Sequence, residues 1–148
     1  DSFRIARSDA LIEQFNQSLS SVTYAALFLG LITLLGSSIG LTNIMLVTVT
    51  ERTREIGLRK ALGASAATIR AQFLVEVVMI GLLGGLLGIL LGIGVGNLVA
   101  QQLDAPFVLP WDWVFVALAL SGAVSLGSGY YPARQAAQLD PIESLRHA

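Results

Sequence analysis

The stretch Glu51–Ser65, ERTREIGLRKALGAS, is the most densely charged part of the chain and stands between two long apolar runs. Seven charged residues fall between Glu51 and Arg70, whereas the flanking runs, Val22–Val49 and Phe73–Ala100, hold one between them, Glu76. As a helix, Val22–Val49 would extend roughly 40 Å, more than the bilayer core of about 30 Å. The charged stretch therefore reads as a water-facing connection between two membrane spans. Within it, Glu51 with Arg54, Arg52 with Glu55, and Glu55 with Arg59 have the spacing of ion pairs on a helix. This predicts a charged helical extension of the first span, followed by a bend at Gly57 and Gly63 and a helix start capped by Ser65.

Composition agrees with a membrane protein. Of the 148 residues, 54% are hydrophobic and only 13% charged, and the mean hydropathy is +0.72. A net charge of −1 offers no basic field for nucleic acid, which is not an expected partner. With no cysteine there is neither a disulfide framework nor a thiolate metal site, and the single histidine, His147, lacks a companion ligand. The chain opens on Asp1 with no signal-peptide pattern, as expected of a piece of a longer polypeptide.

Working outward, residues 1–21 are polar, with Phe3 and Ile5 alternating like the end of a strand and Leu11, Phe15 and Leu19 at helical spacing. A stalk helix is expected to start near Ser8 or Asp9 and enter the first span, 22–50, unbroken. The charged segment occupies 51–72 and the second span 73–100. That span carries Gly84, Gly88, Gly92 and Gly96 every four residues, a stripe for close helix packing, with a sliding interface as the alternative. Its glycines do not form a dinucleotide fingerprint, because Asn97 stands where G-x-G-x-x-G needs its last glycine and no strand precedes.

Residues 101–112 form a short loop with two prolines and no basic residue. A third span, 113–131, follows, with Trp111 and Trp113 at one interface and Tyr130 and Tyr131 at the other. In the tail, 132–148, Pro132 is expected to interrupt the helix. Asp140, Pro141 and Glu143 mark a new, short amphipathic helix. The fold class is thus all-α, a multi-pass helical membrane protein with three transmembrane helices.

Arg52, Arg54, Arg59, Lys60 and Arg70 place the loop between spans one and two in the cytoplasm. The 101–112 loop then lies outside, and the tail with Arg134 and Arg146 inside. Arg4 and Arg7 lie too far from the first span to weigh in this rule. No catalytic chemistry is legible: Lys60, the only lysine, is not in a phosphate-binding G-x-x-x-x-G-K-[ST] pattern, and no carboxylate pair, nucleophile triad or metal-ligand spacing occurs. Glu76, near the cytoplasmic interface, suits an anchor or a partner of an arginine better than a proton relay. A secondary transporter would need midplane ionisable residues or repeated helix breaks, and neither is visible. Spacing alone leaves Glu51–Ser65 open between a solvated, topology-setting loop and a docking element.

ERTREIGLRKALGAS, followed by QFLVEVVMIGLLGGLLGILLG and PARQAAQLDPIESLR, resembles the C-terminal part of FtsX-like permeases, especially the MacB type. The first and last motifs are specific, and the match covers nearly the whole chain. The resemblance implies the last three helices of a four-helix ABC transporter subunit, the strand-like Phe3–Ile5 being the end of an extracytoplasmic domain. It implies a homodimer in a bacterial inner membrane, multi-pass with a cytoplasmic C-terminus, working with a cytoplasmic ABC ATPase and a periplasmic or extracellular partner. It further implies that Glu51, Arg52, Arg54, Glu55, Gly57, Arg59, Lys60 and Gly63 couple to that ATPase, and that residues 8–50 carry movement outward for export or extraction of a substrate. ATP and Mg would be bound and hydrolysed by the ATPase, partner or fused, with no cofactor held by this chain. The rival implied by the same family is a scaffold that regulates an outer enzyme and transports nothing.

Overall fold

The computed structural model describes residues 1–146. Helices α1 (Ser2–Glu51), α2 (Thr53–Ala61), α3 (Ala66–Gln102), α4 (Trp111–Ala137) and α5 (Pro141–Arg146) account for nearly all of them, and no strand occurs among the described residues. Three of these helices, α1, α3 and α4, are long and apolar enough to cross a membrane. His147 lies outside the described residues.

The chain divides into two compact units, Asp1–Ser37 and the part from Ser38 onward. The first unit is helix whose large apolar side chains, Phe15, Leu19, Phe28, Leu31 and Leu35 among them, stand exposed. Here the expected strand end at Phe3–Ile5 is corrected: those residues are helical, and α1 begins at Ser2 rather than at Ser8 or Asp9. No proline or glycine interrupts the first 29 residues, and a lone strand would leave its backbone groups unpaired where a helix pairs its own. Ser8 does not cap; its hydroxyl donates to the Arg4 carbonyl at 2.9 Å.

In the second unit the core gathers Met45 and Val49 from α1, Ile56 from α2, Ile69, Phe73 and Val77 from α3, and Ala133 and Ala136 from α4. Four helices thus meet around the charged stretch. The passage from α1 to α2 breaks at Arg52 (φ −95°, ψ 13°) without a glycine or proline. Threonine hydroxyls cluster at this break. Thr50 Oγ1 donates to the Val47 carbonyl at 2.7 Å, and Thr53 Oγ1 to those of Val49 and Thr50 at 3.1 and 2.8 Å. Such back-bonding competes with the helical ladder and bends it.

The α2–α3 turn is a Schellman motif: Gly63 N–H donates to the Lys60 carbonyl and Ala64 N–H to that of Arg59, at 3.1 and 3.0 Å. Gly63 sits at φ +106°, so the expected bend is there. Ser65 caps α3 as expected, its hydroxyl oxygen accepting from Thr68 N–H at 3.2 Å. Asp140 caps α5, accepting from Ile142 N–H at 2.9 Å.

Pro132 corrects another expectation. It lies buried inside α4, which runs on to Ala137. A proline within a helix lacks the N–H that would serve the carbonyl four residues back, here that of Ser128. Thr42 Oγ1 of α1 donates to that carbonyl at 2.9 Å instead. The repair comes from another helix, and with it α4 continues.

Along α3 and α4 the contact is made by small residues. Gly81 faces Ser125, Gly85 faces Ser121 and Gly129 faces Val77, each too close to admit a Cβ without displacement. Gly84, Gly88, Gly92 and Gly96, the stripe picked out from sequence, look onto open space among the described residues. The packing face within this chain is the neighbouring one, through Gly81 and Gly85. At the far end of α3, the Asn97 side-chain amide holds the connecting loop. Its Oδ1 accepts from Val108 N–H at 3.1 Å, and its Nδ2 donates to the Val108 carbonyl at 3.3 Å.

Candidate functional site

The charged stretch turns two different faces to its surroundings. On the inner face of α2, Ile56 and Gly57 are buried. Gly57 is not a bend, as the sequence had suggested, but a point of close approach: a Cβ there would lie 2.6 Å from Ser144 Cβ of α5. Lys60, on the same side, reaches the end of α4, where its Nζ donates to the carbonyls of Ala137 and Leu139, the latter at 2.7 Å. The last carbonyls of a helix lack intrahelical donors and carry the negative end of its dipole, so an ammonium group is the complement they need.

Two further contacts tie the stretch to α3. Arg59 donates to Glu55 at 2.6 Å, the predicted i, i+4 pair, and to Gln72 Oε1 at 2.7 Å. Arg52 faces Glu76 at 3.5 Å rather than Glu55. The break at Arg52 accounts for the change of partner, because it rotates that side chain out of register with α2. Glu76 is thereby the partner of an arginine, one of the two roles its position suggested. The pairs line a groove of about 220 Å³ with Ile56 and Phe73 at its floor. Both pairs are about half exposed, so each contributes little to stability and more to geometry.

The predicted residues therefore separate. Lys60, Gly57, Arg59 and Arg52 are engaged with the rest of the fold, Gly63 makes the turn, and Glu51 and Arg54 are exposed. The expected Glu51–Arg54 ion pair is not formed among the described residues. Sequence reasoning missed Thr42 and Ser128, which carry the α1–α4 contact together with Ser38, whose hydroxyl lies 2.6 Å from that of Ser128. The available signal was a serine four residues before a proline in an apolar helix. It also missed Gln72 and Ser144, for which only the three-dimensional approach of helices gives a reason.

No group of acidic or histidine residues suited to a metal ion occurs among the described residues. Through Lys60, Arg59, Arg52 and Gly57, a nine-residue helix is tied to the ends or starts of its neighbours.

Comparison with known proteins agrees with this picture of a membrane segment. The family model of the FtsX-like permease C-terminal region matches residues 27–141. The chain is 42% identical to the macrolide export ATP-binding/permease protein MacB of Syntrophobacter fumaroxidans, over 99% of its own length and 21% of that protein's. It is 44% identical to a probable export ATP-binding/permease protein MacB of Pseudomonas entomophila, over 93% of this chain and 21% of the relative. It is 43% identical to the probable syringafactin export ATP-binding/permease protein SyfD of Pseudomonas syringae pv. tomato, with the same coverage. The chain thus spans about a fifth of the length of these relatives. From the matched residues and the three apolar helices, this chain is a membrane protein that belongs to the FtsX-like permease family.

Proposed function

We propose that this chain is the C-terminal membrane segment of a MacB-like ABC exporter, in which α2 receives movement from a cytoplasmic ATPase and passes it to α1, α3 and α4. The observation that supports this most is the bracing of α2: Lys60 on the end of α4, Arg59 on Gln72 and Arg52 on Glu76 of α3, and Gly57 against α5. A displacement of α2 would carry the start of α3 and the end of α4 with it, because neither can lag without breaking a polar contact. In the orientation set by the basic residues, α2 and the tail face the cytoplasm of a bacterial inner membrane, and the loop before Trp111 faces outward. ATP and Mg belong to the ATPase, and a second permease copy completes the transporter.

The relatives are named for export of macrolides and syringafactin. The segment's part in such export would be transmission of force rather than recognition of cargo. The test uses the full-length protein in proteoliposomes, with ATP hydrolysis and accumulation of a labelled macrolide both measured. Glu55→Ala with Arg59→Ala is expected to leave basal hydrolysis in place and to lower hydrolysis-driven accumulation about tenfold. Unchanged accumulation per ATP hydrolysed would remove α2 from the coupling path.

A further inference from the structure

The groove between α2 and the start of α3 holds two arginine–glutamate pairs that differ in kind. Arg59 is engaged twice, by Glu55 at 2.6 Å and by Gln72 at 2.7 Å. Arg52 and Glu76 have only each other among the described residues, at 3.5 Å, beyond the roughly 2.7–2.9 Å of a charge-assisted hydrogen bond. A guanidinium carries several N–H donors and a carboxylate several acceptor sites, so most of the capacity of this pair is unused. Both side chains are about half exposed, and a loose exposed pair contributes little to stability. A ligand that enters between them displaces little.

We infer that this groove binds the headgroup of a phospholipid that carries a phosphate and a primary ammonium, the phosphatidylethanolamine type, with Arg52 donating to the phosphate and Glu76 accepting from the ammonium. The groove, about 220 Å³, has the volume of several waters at about 30 Å³ each, room for a phosphate with a short amine arm. Charge selects the class. Two arginines and two glutamates line the groove, so each end of a zwitterion finds an opposite charge. An anionic headgroup would meet Arg52 but bring its charge beside Glu55 and Glu76, and like charges repel. A quaternary choline has no N–H for Glu76 and forgoes the charge-assisted hydrogen bond.

Position selects a lipid over a soluble zwitterion of the same chemistry. Glu76 lies three residues into the apolar run that begins at Phe73, a depth at which charged side chains reach the headgroup layer. Met79, Ile80 and Leu83 follow it at helical spacing on the same side of α3, and all three are exposed. They offer acyl chains an apolar track that begins at the groove. The inference is independent of the coupling role, because it needs only that this end of α3 lie at a membrane surface.

The experiment uses the full-length protein in phosphatidylcholine nanodiscs with a trace of phosphatidylethanolamine that bears a photoreactive group near its glycerol. Cross-linked peptides are mapped, with unlabelled phosphatidylethanolamine, phosphatidylglycerol or soluble glycerophosphoethanolamine as competitor. Labelling is expected on the peptides that carry Arg52 and Glu76. Unlabelled phosphatidylethanolamine should suppress it about tenfold more effectively than phosphatidylglycerol, the worth of one hydrogen bond to a charged group. The soluble headgroup should leave labelling intact. From Glu51 to Arg70 the chain has five cations against two acids and would by itself draw anionic lipid, so a preference for the zwitterion reports the groove and not the surrounding field. Glu76→Gln keeps the side chain's size and leaves Arg52 unopposed, and should reverse the preference toward phosphatidylglycerol. Arg54→Gln, exposed and outside the groove, should retain it. Equal suppression by the two lipids in the wild type would overturn the inference without recourse to any variant. Suppression by the soluble headgroup, or an unchanged preference in Glu76→Gln, would overturn it as well.

Discussion

Replacing Thr42 with valine tests the contact that lets α4 pass through Pro132. The side chains are nearly the same size, but Thr42→Val removes the hydroxyl that donates to the Ser128 carbonyl at 2.9 Å. That carbonyl is the one Pro132 cannot serve, and Ser128 is only 3% exposed. A buried acceptor left without a donor costs about 1–3 kcal/mol in water-soluble proteins. Interhelical hydrogen bonds in membranes average about 0.6 kcal/mol and reach about 1.7. The expected loss is therefore about 1–1.5 kcal/mol, toward the upper membrane value because the acceptor has no helical alternative.

The control is Pro132→Ala, which restores an N–H to the Ser128 carbonyl. In that background Thr42→Val should cost only a few tenths of a kcal/mol, a coupling energy of about 1 kcal/mol in the double-mutant cycle. Reversible unfolding in mixed detergent and sodium dodecyl sulfate micelles, followed by Trp111 and Trp113 fluorescence, gives all four corners. Equal cost of Thr42→Val in both backgrounds would refute the repair.

Gly57→Ala should destabilise the packing of α5 on α2 by about 1–3 kcal/mol, as expected of overpacking. The Cβ would lie 2.6 Å from Ser144 Cβ, so Ser144→Gly should recover most of the loss, read as protease sensitivity of the tail. Gly129→Leu should separate α3 from α4, because Val77 already occupies the space of its Cβ, while Gly88→Leu should leave that contact intact. The distance between spin labels at the exposed Leu87 of α3 and Val116 of α4 distinguishes them. Lys60→Met should free the Ala137 and Leu139 carbonyls and lower the midpoint of thermal unfolding in detergent by several degrees, and an unchanged midpoint would deny the brace.

Much of this architecture could be read from residues in order, because its causes are local. The three apolar helices follow from run length, and the starts at Ser65 and Pro141 follow from capping chemistry that acts over two or three residues. The features that were misread depend on partners far away in sequence. Pro132 breaks a helix by every local rule, and the hydroxyl that compensates comes from Thr42, on another helix. Gly57 and Gly63 are the same residue type six positions apart. Only the approach of Ser144 separates a close contact from a turn.

The glycines of α3 present a related ambiguity. Gly81 and Gly85 occupy one strip of the helix and Gly84, Gly88, Gly92 and Gly96 the next, so small residues alone do not say which strip meets α4. The charged stretch was legible as an element but not as two faces. Its ion-pair spacing predicted Glu55–Arg59 correctly, while the break at Arg52 sent that arginine to Glu76. Threonine back-bonding at the break depends on rotamers that sequence does not specify. The strand-like alternation of Phe3 and Ile5 was too short to outweigh an uninterrupted helical run.

The central claim is that α2 passes movement between an ATPase and the membrane helices through its braces. The most direct measurement is the ratio of macrolide accumulated to ATP hydrolysed by the reconstituted full-length protein, wild type against Glu55→Ala with Arg59→Ala. The account predicts a ratio about tenfold lower in the variant with basal hydrolysis retained. A ratio equal to that of the wild type would contradict it.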